Sequence, residues 1–94
     1  MEERSVVSER GRTYYWIEKC VRPERENLVF LPGLTADHRL FDGQIQHFSG
    51  RHTVLTWDAP AHGKSRPYQD FSYGHLAEEL QTILDREEIG TAVL

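Results

Sequence analysis

The chain has a single cysteine, no basic excess, no long apolar run and no internal repeat, and each shortage removes a class of protein. With Cys20 alone, no intrachain disulfide can form; this excludes a disulfide-stapled scaffold and suits a reducing compartment, so the expected location is cytoplasmic. The 11 Lys and Arg against 15 Asp and Glu leave a net charge of −4 with no basic stripe. Neither nucleic acid nor an anionic membrane is therefore an expected partner. No segment approaches the ~18 apolar residues of a membrane span. The opening Met1-Glu2-Glu3-Arg4-Ser5 is charged and leads into no apolar core, unlike a secretory signal.

Cofactor motifs are missing as well. The five histidines (His38, His47, His52, His62, His75) include no pair at i and i+4, and no His-Glu-x-x-His occurs, so no metal is expected. Gly63-Lys64-Ser65 looks like the tail of a phosphate-binding loop, but that motif needs a glycine where Asp58 stands. It also needs a helix directly after the Lys-Ser pair, which Pro67 opposes. Tyr14, Tyr15, Trp16 and Phe41 have no basic flank to hold a phosphate backbone, and read as core rather than as a stacking surface.

What remains is a segment of 94 residues with 38 % hydrophobic and 28 % charged content, enough for one small domain. Residues 5–8 and 13–19 are rich in β-branched and aromatic types and are separated by Glu9-Arg10-Gly11-Arg12, which predicts an antiparallel hairpin. Val21 to Glu26 is a polar connector in which Pro23 stops the ladder. Residues 27–31, apolar throughout after Asn27, suit a strand covered on both faces. Phe41, Ile45 and Phe48 predict a helix over 40–48, and residues 52–57 a second buried strand.

The clearest helix is 72–88, with Leu76, Leu80, Ile83 and Leu84 on one face, Ser72 as N-cap and Gly90 as the terminating glycine. Residues 91–94 begin another apolar strand. The order β-β-β-α-β-α-β implies a mixed α/β sheet: an antiparallel hairpin, then parallel strands joined by helical crossovers.

Two loops at strand ends carry the functional signal. Pro32-Gly33-Leu34 follows the first buried strand, and Asp58-Ala59-Pro60-Ala61-His62-Gly63-Lys64-Ser65 follows the second. Ligands in open α/β sheets bind beyond the carboxyl ends of the strands. Glycine at such a position lets the backbone turn and approach a substrate with no Cβ in the way. By itself Pro-Gly is also an ordinary strand-ending turn.

Together these stretches resemble the N-terminal portion of the α/β-hydrolase fold superfamily, in its esterase-, lipase- and haloperoxidase-like branch. The resemblance covers about residues 13–94. It implies a partial α/β-hydrolase domain over 1–94, with a hairpin at 5–19 and core α/β units at 27–94. In the family the first loop usually reads His-Gly-x, and the amide after the glycine faces the developing oxyanion; carried over, that residue is Leu34. Pro32 stands where histidine is common. Gly33, Thr35 and His38 would then face substrate. Asp37 and His38 could line an entrance, with solvated loop residues as the competing reading.

The second loop resembles the family's Asp-x-Pro-Gly-x-Gly-x-Ser stretch, with Ala61 departing from its first glycine; any positive φ there would be strained. Asp58, His62, Gly63 and Ser65 are implied as loop architecture, His62 at most lining the site. The family's nucleophile elbow, acid and histidine follow later in its chain order. Among these 94 residues no Gly-x-Ser-x-Gly occurs, so this chain is expected to be inert on its own. The resemblance implies a parent that cleaves an ester, thioester, amide or related bond of a small molecule by serine-type acyl transfer, without a cofactor. The alternative is a non-catalytic binding or dimerisation module. An exposed sheet edge would favour self-association.

Overall fold

In the computed structural model, residues 1–20, 26–33, 36–90 and 92 are described. Strand β1 (Glu2–Ser8) and strand β2 (Gly11–Glu18) form the antiparallel hairpin, in register from Glu2↔Ile17 to Ser8↔Gly11. Glycine is required at the tip. Gly11 has φ +157°, and a Cβ there would lie 2.6 Å from the Pro67 carbonyl oxygen.

β1 begins three residues earlier than the sequence suggests. Glu2 and Glu3 are exposed and Arg4 half-buried, so the strand shows no apolar alternation there. Charge on an edge strand blocks pairing with foreign strands without spoiling its own ladder.

Strand β3 (Asn27–Phe30) and strand β4 (Thr53–Trp57) pair in parallel, and β4 also pairs antiparallel with β2. The result is an open mixed sheet of order β1-β2-β4-β3. All five residues of β4 are buried, as expected for a strand with neighbours on both sides and cover on both faces.

Between β3 and β4 the chain makes a 3₁₀ turn (His38–Phe41) and then helix α1 (Asp42–Phe48), rather than one helix over 40–48. Asp37 accepts the Arg39 N–H, which starts the turn early, and Phe41 packs on Phe30 of the sheet with ring centroids 5.4 Å apart. Helix α2 (Tyr73–Arg86) covers the opposite face. Its Leu76, Leu80, Ile83 and Leu84 meet Tyr15, Ile17, Val29, Leu55 and Trp57 in one core. Ser72 caps it, accepting the His75 N–H at 3.0 Å.

The C-terminus of α2 differs from the sequence expectation. The residue in left-handed conformation is Glu88, at φ +60°, and not Gly90. Ile89 N–H bonds to Leu84 C=O at 2.8 Å and Glu88 N–H to Asp85 C=O at 3.1 Å, the two bonds of a Schellman motif. Ile89 belongs to the core cluster against which Leu84 packs, consistent with the apolar closure that accompanies such a turn. The expected strand at 91–94 and the Pro23 connector lie outside the described residues, apart from Ala92 and Glu26.

Two carboxylates are buried between the hairpin and α2. Glu79 accepts from Ser8 Oγ at 2.8 Å and Tyr68 OH at 2.7 Å. Glu87 accepts from Arg4 Nη1 at 2.7 Å and from the Tyr15 hydroxyl, with Lys19 Nζ at 3.3 Å. Burial raises the Glu87 carboxyl, but the hydrogen bonds from Tyr15, Arg4 and Lys19 outweigh it and leave the value lowered. Burial first, and then the bond to Glu87, push the Tyr15 phenol up to about 12.

Candidate active site

The loop after β4 is built around Asp58, whose side chain is 1 % exposed. Asp58 Oδ1 accepts the His38 N–H at 2.7 Å and faces His38 Nδ1 at 2.9 Å; Oδ2 accepts the Lys64 N–H at 2.7 Å. A Cβ on Gly63, at φ +49°, would sit 2.3 Å from Asp58 Oδ2, so only glycine leaves room for that carboxylate. Ser65 Oγ donates to Asp58 C=O at 2.6 Å and accepts the Tyr14 N–H at 2.9 Å. This serine is fully buried and committed to backbone, which removes it as a nucleophile. Ala61 stands at φ +73°, where an alanine costs roughly 1–2 kcal/mol.

Asp58 thus ties the loop after β4 to the loop after β3. His38 completes the tie, its ring stacked on Trp16 at 3.6 Å between centroids with 14° between planes. Asp37, beside it, is held down to about 2 by the hydrogen bond from the Arg39 guanidinium. Donor atoms of Asp37, His38 and Asp58 lie within 4.8 Å of one another, a spacing that a metal ion could bridge. Those carboxylates already accept from the His38 and Lys64 amides and from Arg39, so protein hydrogens satisfy the cluster.

Beyond the carboxyl ends of β3 and β4 lies a concavity of about 210 Å³. Leu31, Pro32 and Gly33 form one wall, Trp57, Ala59 and His62 another, and Tyr73 and Leu76 of α2 the third. Of the residues singled out in the sequence, Gly33 and His62 meet there. His38, Asp58, Gly63 and Ser65 are not among its lining; they hold the loops around it. Leu34 and Thr35 lie outside the described residues.

Gly33 is not in a left-handed conformation, and nothing lies within 4 Å of where its Cβ would be. Its lack of a side chain keeps the wall open rather than permitting a turn. Leu76 read only as part of the apolar face of α2 and Tyr73 carried no signal, although the N-terminus of a helix that follows a strand-end loop lies close to the strand ends.

Two polar groups of the lining stand out. His62 Nδ1 lies 3.0 Å from the Pro60 carbonyl, which can only accept, so Nδ1 carries hydrogen and Nε2 of the neutral ring is an acceptor. Trp57 is 1 % exposed and its indole N–H has no partner among the described residues.

This sheet, with its two loops meeting at the carboxyl strand ends, has the N-terminal α/β-hydrolase fold. An α/β hydrolase from Novosphingobium aromaticivorans is similar at TM-score 0.82 and 24 % identity, over 94 % of this chain and 32 % of that one. The N-acyl homoserine lactonase AidH is similar at TM-score 0.83 and 20 % identity, over 99 % and 35 %. A 1H-3-hydroxy-4-oxoquinoline 2,4-dioxygenase is similar at TM-score 0.72 and 25 % identity, over 95 % and 34 %. The chain thus spans about a third of the length of these structures. No protein-family model and no curated protein matches the sequence.

Proposed function

We propose that this chain is the N-terminal part of an α/β hydrolase that cleaves an ester, thioester, amide or related small-molecule bond by serine-type acyl transfer. One observation carries the reading: the loops after β3 and β4 are tied together by Asp58 around an apolar concavity at the carboxyl strand ends. That is where open α/β sheets bind ligands. In this reading the Leu34 amide is one donor of the oxyanion hole, with Gly33 and Thr35 on the substrate side of the same loop and His38 holding that loop through Asp58. The nucleophile, acid and histidine come from other residues, and the hydrolase and lactonase names among similar structures support that class. The dioxygenase among them shows that the scaffold alone does not select a reaction.

The test has two parts. Coding DNA read onward from codon 94 should encode a Gly-x-Ser-x-Gly elbow within about ten residues, following an apolar strand. The purified 94-residue chain should hydrolyse p-nitrophenyl acetate no faster than the same chain denatured. Saturable turnover by this chain would contradict the placement of the nucleophile elsewhere.

A further inference from the structure

The lining of the concavity is selective in its chemistry. Leu31, Pro32, Trp57, Ala59 and Leu76 present hydrocarbon, and no Lys, Arg, Asp or Glu is among the described residues that line it. Among the described lining residues His62 and the Tyr73 phenol are the titratable groups, and the His62 tautomer leaves an acceptor at Nε2. The apolar character continues past the mouth. Phe71 and Tyr73 are exposed, their rings 5.9 Å apart, and the Phe71 ring lies 6.2 Å from that of His62.

We propose that this concavity receives an uncharged moiety of limited size, an aryl ring or an acyl chain of up to about six carbons, and rejects ionised groups of the same shape. The inference rests on the reading of this place as a substrate site and names the substrate class it takes. Size follows from volume: an apolar cavity of about 150 Å³ admits benzene, so 210 Å³ holds a ring with a short substituent. A longer chain would run out over Phe71 and Tyr73. Charge selection follows from desolvation. An ion leaving water for this lining meets no opposite charge among the described residues, and the neutral Trp57 N–H, His62 ring and Tyr73 hydroxyl do not replace its hydration. A hydroxyl or amide N–H on the ligand, by contrast, finds His62 Nε2.

Three probes of one shape test this on the 94-residue chain at neutral pH: benzyl alcohol, benzoate and benzylamine. Titrated into the ¹⁵N-labelled chain, benzyl alcohol should shift the amides of Gly33 and Ala59 and the Trp57 indole N–H saturably. The two ions should bind at least tenfold more weakly. Gly33→Leu, whose Cβ meets open space, should fold normally and abolish the benzyl alcohol shifts. Leu76→Phe should weaken them from the opposite wall.

Equal binding of benzoate, absence of shifts with benzyl alcohol, or shifts that survive Gly33→Leu would each overturn the inference. Hydrolysis of charged-acyl esters by the whole protein would overturn it while leaving the acyl-transfer reading intact. Neutral selectivity in a whole protein that cleaves no acyl bond would uphold it and remove that reading instead.

Discussion

Asp58 concentrates more of the site's geometry than any other side chain among the described residues. Its two oxygens fix the first amide of the 3₁₀ turn and the Lys64 amide, and its carbonyl receives Ser65. Buried acceptors of this kind are costly to leave unmatched. Gly63→Ala should therefore destabilise the chain by about 2–4 kcal/mol, from left-handed strain plus displacement of the Asp58 carboxylate. Ala61→Gly, two residues earlier in the same loop and also left-handed, should stabilise it by up to ~1 kcal/mol. Urea unfolding of both variants checks the pair, and similar effects of one sign would contradict the loop geometry.

At the scale of elements, α2 is held by devices at both ends. The Schellman turn places Glu88 at φ +60°, so Glu88→Gly should raise stability by about 0.5–1 kcal/mol, measurable as a higher urea midpoint. The hairpin and α2 are further joined through Glu87, Arg4 and Tyr15. Glu87 is depressed in the folded chain, so its contribution is present above the ordinary glutamate value of ~4.3 and lost as pH falls below it. Tyr15 is raised to about 12, so its contribution is complete below the ordinary phenol value and lost as pH rises towards 12.

Thermal unfolding across pH should accordingly show a plateau between ~5 and ~9.5 with a fall on either side. Tyr15→Phe should flatten the alkaline fall, leaving the smaller share of Tyr68, whose phenol burial also raises. An unchanged alkaline limb in Tyr15→Phe would contradict the buried pair.

For the whole molecule, the mixed sheet and the two strand-end loops were legible because their signals are local. Leu28 to Phe30 is apolar, Thr53 to Trp57 is rich in β-branched and aromatic residues, and Asp58, Gly63 and Ser65 act within one loop. Illegible parts depend on distant partners. Glu87 is buried because Arg4 and Lys19 reach it from the hairpin, and no pattern near residue 87 shows that. The third wall of the concavity comes from Tyr73 and Leu76, which the periodicity of α2 assigns to a core stripe or to solvent.

Among the described residues, no helix is long and apolar enough to cross a membrane. The sheet is flanked by β1, with its charged start, and by β3, which carries no charged residue. We expect association through the β3 edge, seen as a concentration-dependent sedimentation coefficient and weakened by Leu28→Lys, at a half-buried position of that strand. A monomer at every concentration would contradict it.

We propose that the amide following Gly33 stabilises negative charge formed beside the concavity, and the rest of the functional reading depends on it. Its most direct measurement is ester hydrolysis by the whole protein that carries these residues, compared with Leu34→Pro, which deletes that one N–H. Leu34→Pro should lower kcat by about 10²–10³ with KM little changed. A kcat that is unaltered in the folded variant would contradict it.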